Sequence, residues 1–173
     1  MKKSTLFNCK KWEVSNGTCS ISKRLAILIV MMVMIGSKAL AGARFEVIDG
    51  LKYVLDSDTK TATLMANTEA EYSGDIVVPE SVKAKDGNAY KIIALGDNCF
   101  KECRSLTSIE IPSSVTSLGA YCFRECVSLT SIKIPSSVTS IGKQCFKDCC
   151  SLTAIDIPSS VTSLEEDCFN GCI

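Results

Sequence analysis

From Leu106 onward the apolar and polar positions of this chain recur every 23 residues. Leu106, Ile109 and Ile111 are followed by Leu129, Ile132 and Ile134, then by Leu152, Ile155 and Ile157, each set spaced L-x-x-I-x-I. Apolar residues two apart share one face of a strand, so Ile109 and Ile111 point inward while Ser108 and Glu110 point the other way. Pro112 ends the strand, because it has no N–H for a ladder and disfavours the α region for Ile111. Val115 and Leu118 return the chain to the core. Ala120 to Cys126 is expected to make one or two helical turns, placing Cys122 and Cys126 on one face beside Phe123.

The copies are 106–128, 129–151 and 152–173, and the first two agree at 16 of 23 positions. A divergent copy covers Ser73 to Ser105, with Asp75 to Pro79 as its strand and Cys99-Phe100-Lys101-Glu102-Cys103 as its end. Its excess length is read as a hairpin, with Asp86-Gly87-Asn88 turning between Val82-Lys83-Ala84 and Ala89 to Ile93. Ahead of it, Phe45 to Ile48, Leu51 to Leu55 and Thr61 to Met65 read as a three-stranded antiparallel meander. One repeat buries about eight modest side chains at roughly 1.5–3 kcal/mol each, against a backbone entropy of about 1–2 kcal/mol per ordered residue. A lone repeat therefore does not fold; stacked copies do, and their ends need caps. The meander supplies one cap over 42–71, the repeats fill 72–173, and the carboxyl end is expected to stay open, which implies either end-to-end stacking, as in a self-assembling structural protein, or a truncated gene.

The string IPSSVTSIGxxxF with a following Cys-x-Ser-Leu-Thr, behind a meander and the segment Tyr72 to Val82, resembles the BspA-like class of leucine-rich repeats. The resemblance spans Phe45 to Ile173. It implies a right-handed β/α solenoid, mostly β with short helical turns, on a secreted or cell-surface protein, and for some members adhesion to extracellular proteins. Two features depart from the family: only four repeats, and Cys99, Cys122, Cys145 and Cys168 where Ala is usual before the Phe.

Charge divides the chain. Residues 1–41 carry seven cations and one acid, and residues 42–173 carry 12 cations and 18 acids. Lys23-Arg24, the apolar run Leu25 to Ile35 and Ala39-Leu40-Ala41 read as a secretory signal peptide cleaved after Ala41. The run is too short for a bilayer span, which needs about 20 apolar residues. Trp12, Glu13, Cys9 and Cys19 fit neither leader nor domain, which suggests a translation start nearer Ile21. The acidic remainder lacks the positive field that nucleic acid requires. With no His in the chain, imidazole catalysis is excluded, and the recurrent Ser pairs belong to turns rather than to a nucleophile motif. No cofactor is expected.

Two cysteine ladders share the period, Cys99, Cys122, Cys145, Cys168 and Cys103, Cys126, Cys149, Cys172, with Cys150 beside them. Three readings stand: small apolar core residues, thiolates for zinc, or disulfides, for which both helical and cross-strand spacings are awkward. Cys150 is placed near the surface. The acids Glu165-Glu166-Asp167 read as a helix-start cluster. The expected ligand face is the outward side of the strands: Thr107, Ser108 and Glu110; Thr130, Ser131 and Lys133; Thr153, Ala154 and Asp156. Its expected ligand is a protein or surface glycoprotein.

Overall fold

The computed structural model describes residues 43–68 and 71–172, and every statement below concerns those residues. The leader, its cleavage site and the cysteines at 9 and 19 lie outside them. Eleven strands run in chain order: β1 (Ala43–Ile48), β2 (Leu51–Asp56), β3 (Thr61–Met65), β4 (Gly74–Val77), β5 (Ser81–Lys83), β6 (Ala89–Leu95), β7 (Leu106–Glu110), β8 (Ser117–Leu118), β9 (Ser131–Lys133), β10 (Ser140–Ile141) and β11 (Ala154–Asp156). They form two sheets. One is ordered β1-β2-β3-β6-β8-β10, with β5 also on β6; the other is ordered β11-β9-β7-β4.

The meander forms as the alternation requires. Leu51, Tyr53 and Leu55 alternate with half-buried positions along β2, and Ala62 and Leu64 do the same along β3. Asp49 and Gly50 both take positive φ between β1 and β2, as a tight hairpin turn demands. The meander is not a separate lid: β3 pairs in parallel with β6, so its strands continue the sheet that the repeats extend. The insert is a hairpin, with β5 antiparallel to β6 in the register Val82↔Tyr90. A polar clasp fastens it to β1. Arg44 meets Asp86 Oδ2 at 2.8 Å and Glu46 at 3.2 Å, while Tyr90 Oη donates to Asp86 Oδ2 at 2.7 Å. The Lys85 N–H donates to Glu46 at 3.0 Å.

The first three coils contribute a strand to each sheet, and the fourth contributes one to the four-stranded sheet. The segment at Leu106, Leu129 and Leu152 feeds β7, β9 and β11; the S-L and S-I pairs after the IPSS turn feed β8 and β10. Leu106, Val115, Leu129 and Val138 are fully buried between the sheets. The recurrent spelling of the turn has a direct cause in hydrogen bonding between neighbouring coils. Ser137 Oγ donates to the Val115 carbonyl and Ser160 Oγ to that of Val138. Thr116 and Thr139 donate to the carbonyls of Ile93 and Thr116. Ser137 and Ser160 thus give the Val115 and Val138 carbonyls a donor that Ala lacks, while the Thr hydroxyls add to carbonyls that already accept the Thr116 and Thr139 N–H groups.

The third side corrects the helical expectation. Ala120 to Cys126 contains no helix, and none occurs among the described residues. The chain turns instead through left-handed residues, Asn98, Glu102, Tyr121, Glu125, Gln144 and Asp148, all at φ between 52° and 62°. This alternation turns every second N–H toward the next coil. Asn98, Phe100 and Glu102 donate to Ala120, Cys122 and Arg124; Tyr121, Phe123 and Glu125 donate to Lys143, Cys145 and Lys147. An α-helix would use those donors within its own turn, so the coils would lose their third ladder. Along this side Phe100, Phe123, Phe146 and Phe169 stack with parallel rings 5.3–5.4 Å apart.

Candidate ligand-binding face

The nine residues expected to line a ligand face fall on the four-stranded sheet or at the start of its strands. Register sets them in columns. Asp75 pairs with Ser108, and Ala154 with Ser131. Val77 pairs with Glu110, Glu110 with Lys133, and Lys133 with Asp156. Eight of the nine are exposed, and Ser108 is half-buried. The first column has a physical reason for that: Ser108 Oγ and Thr107 Oγ1 both donate to Asp75 Oδ1, at 2.6 and 2.8 Å. Those two bonds hold the Asp75 carboxyl below its usual range. Thr107 and Ser108 are thus partly engaged by the first coil, whereas Thr130, Ser131, Thr153 and Ala154 face solvent.

Asp75 and Val77 were not among the expected residues, although aligning Ile76-Val77-Val78-Pro79 with Ile109-Glu110-Ile111-Pro112 places them in the same columns. Val77 is 64% exposed, an apolar end to an otherwise charged row.

The second column carries the chemistry. Glu110, Lys133 and Asp156 are in-register neighbours of alternating sign, yet none takes part in an ion pair within 4.0 Å. The turn side behaves differently. There Arg124 and Arg104 both meet Glu125, at 3.2 and 3.4 Å, and Lys101 meets Glu102 at 3.3 Å. Part of the charge on the turns is thus paired within the fold, whereas the row of Glu110, Lys133 and Asp156 is left to solvent or a ligand. Below the column, Lys133, Ile134, Pro135, Asp156, Ile157 and Pro158 line a shallow groove between the third and fourth coils.

The cysteines take no part in this face. None of the nine described is joined in a disulfide, and Cys99, Cys103, Cys122, Cys126, Cys145, Cys149 and Cys168 are buried in the core. Cys150 and Cys172 are half-buried. Cys126, Cys149 and Cys172 donate from sulfur to the carbonyls of Phe100, Phe123 and Phe146 at 3.0–3.1 Å, another bond between coils. Burial pushes the thiols of Cys103 and Cys168 up to about 11 and that of Cys149 to about 12, so they are neutral and poorly nucleophilic at neutral pH. Among the described residues no group of three or more Cys, Asp or Glu is placed to hold a metal ion. The acids at 165–167 start no helix; Glu165 Oε2 accepts the Lys143 N–H at 3.0 Å.

Residues 89–173 match the family described as BspA type leucine rich repeat region, in six copies. A leucine-rich repeat protein from Bacteroides capillosus is 28% identical with a TM-score of 0.63, over 70% of this chain and 87% of its own. One from Bacteroides ovatus is 32% identical with a TM-score of 0.65, over 73% of this chain and 33% of its own. A leucine rich cell surface protein from Faecalibacterium prausnitzii is 30% identical with a TM-score of 0.56, over 66% of this chain and 31% of its own. The chain thus spans about a third of the latter two. No curated protein matches it.

Proposed function

We propose, from the premise that this chain is a BspA type leucine-rich repeat protein across residues 89–173, that it is a secreted or cell-surface interaction module. It is a right-handed solenoid without catalytic activity that adheres to a protein or surface glycoprotein through its strand face. The observation that carries this reading is the row Glu110, Lys133 and Asp156, whose charges remain outside every ion pair of the fold. Placing like and unlike charges on a rigid sheet gives a partner a fixed pattern to match, and such patterns set specificity and association rate. The buried thiols, and the absence of His from the chain, fit a scaffold rather than an enzyme. Likeness to a protein called a cell surface protein in Faecalibacterium prausnitzii supports the location.

The test is capture of extracellular-matrix and host-surface glycoproteins by the chain and by a Glu110→Gln, Lys133→Gln, Asp156→Asn variant. The variant is expected to fold normally and to lose capture at least about tenfold, as loss of several exposed ion pairs implies. Unchanged capture by the variant contradicts the reading.

A further inference from the structure

We propose that the strand face takes an extended, proline-rich segment of a partner protein in polyproline II conformation, with Lys or Arg at every third position. The inference rests on the strand-face reading above and names its ligand chemistry. The two acids of the unpaired row, Glu110 on β7 and Asp156 on β11, are separated by one intervening strand, β9. Strands lie about 4.8 Å apart, so two equivalent positions two strands apart are about 9.6 Å apart. A polyproline II helix rises about 3.1 Å per residue with three residues per turn, and residues three apart recur on one face every ~9.3 Å. An extended strand repeats a face every ~6.8 Å, and an α-helix presents i and i+4 about 6 Å apart. Of these conformations, polyproline II fits the spacing of the two carboxylates best.

The surroundings favour the same occupant. The face is acidic, with Asp75, Glu110 and Asp156 against Lys133, on a region carrying 18 acids and 12 cations. A cationic segment is therefore attracted both locally and at range. The groove floor of Ile134, Pro135, Ile157 and Pro158 gives proline rings an apolar bed beside the charges. Polyproline II has no internal hydrogen bonds, so its carbonyls remain open to donors. Lys133, between the two acids, and Ser131 in the adjoining column supply them. Val77, exposed at the far end of the row, meets a proline rather than a cation.

The experiment is fluorescence anisotropy of the full chain with labelled (Pro-Pro-Lys)4 and with a block peptide of the same composition, Lys-Lys, eight Pro, Lys-Lys. The periodic peptide is expected to bind more tightly than the block peptide, to weaken with salt, and to lose roughly tenfold in Glu110→Gln, Asp156→Asn, as two exposed ion pairs imply. Equal binding of the two peptides, or equal binding by the variant, overturns the proposal. If the periodic peptide does not bind while the same variant loses capture of surface glycoproteins, the peptide chemistry is wrong and the strand-face reading stands. If capture is also unchanged, both fall.

Discussion

Cysteine at two positions of each 23-residue period serves packing and backbone satisfaction together. Cys99, Cys122 and Cys145 fill the space beside the phenylalanine stack, and Cys126 and Cys149 close bonds to carbonyls of the preceding coil. Ala fills part of that space and donates nothing. The thiols also make stability depend on pH in a definite direction. Desolvation raises Cys103 and Cys168 to about 11 and Cys149 to about 12 from an ordinary value near 9. A raised folded-state value favours the neutral thiol, so this stabilisation is fully present below pH about 9 and is lost as pH climbs through the folded values. Urea unfolding followed at pH 7 and at pH 10.5 is expected to show a clearly lower midpoint at the higher pH. Equal midpoints contradict buried, neutral thiols.

Glycine and its replacement govern the far end of the longer sheet, at β8 and β10. Gly142 lies against the previous coil so closely that a Cβ there would stand 2.5 Å from the Ala120 nitrogen and 2.8 Å from its Cα; Gly119 is equally crowded against Asp97 and Gly96. That contact lets β8 and β10 pair and buries Leu118 and Ile141. The fourth coil carries Glu165 at this position. No strand forms at Ser163–Leu164, and Leu164 is 46% exposed. We attribute the loss of the strand to the side chain at 165, which cannot enter the space that Gly142 occupies. Glu165→Gly is expected to restore pairing of residues 163–164 with β10, slow amide exchange there, and stabilise the chain by about 0.5 kcal/mol. That figure is burial of half a leucine less the entropy cost of glycine. Unchanged exchange at Leu164 contradicts the assignment. The period, meander, hairpin insert and core positions were legible in the sequence because each rests on alternation and turn residues. The continuation of the longer sheet was not, since two-residue strands such as β8 and β10 are too short to show alternation. The turns were misread as helical because Cys122-x-x-x-Cys126 fits helical spacing, and nothing in the residue types announces left-handed backbone at Tyr121 and Glu125.

At the scale of the molecule, neighbouring coils are joined on three sides: by the four-stranded sheet, by the longer sheet and by the turn ladder. Side-chain bonds from Ser137 and Thr139 reinforce the side of the longer sheet, and that from Cys149 the turn ladder, each reaching a carbonyl of the preceding coil. This near-neighbour connectivity makes stability a sum over coils and interfaces, and it leaves on the strand face a row of charges, Glu110, Lys133 and Asp156, outside the ion pairs of the fold. The columns of the strand face were legible from the repeat alone, because register follows from the period. Their freedom from ion pairing was not, since Glu110, Lys133 and Asp156 alternate in sign and invite the opposite expectation. The measurement that tests the central claim most directly is the hydrogen-exchange footprint of a captured glycoprotein on the chain. Protection is predicted over β7, β9 and β11, at 106–110, 131–133 and 154–156. Protection confined to the turn side, at 97–103 and 120–126, would contradict it.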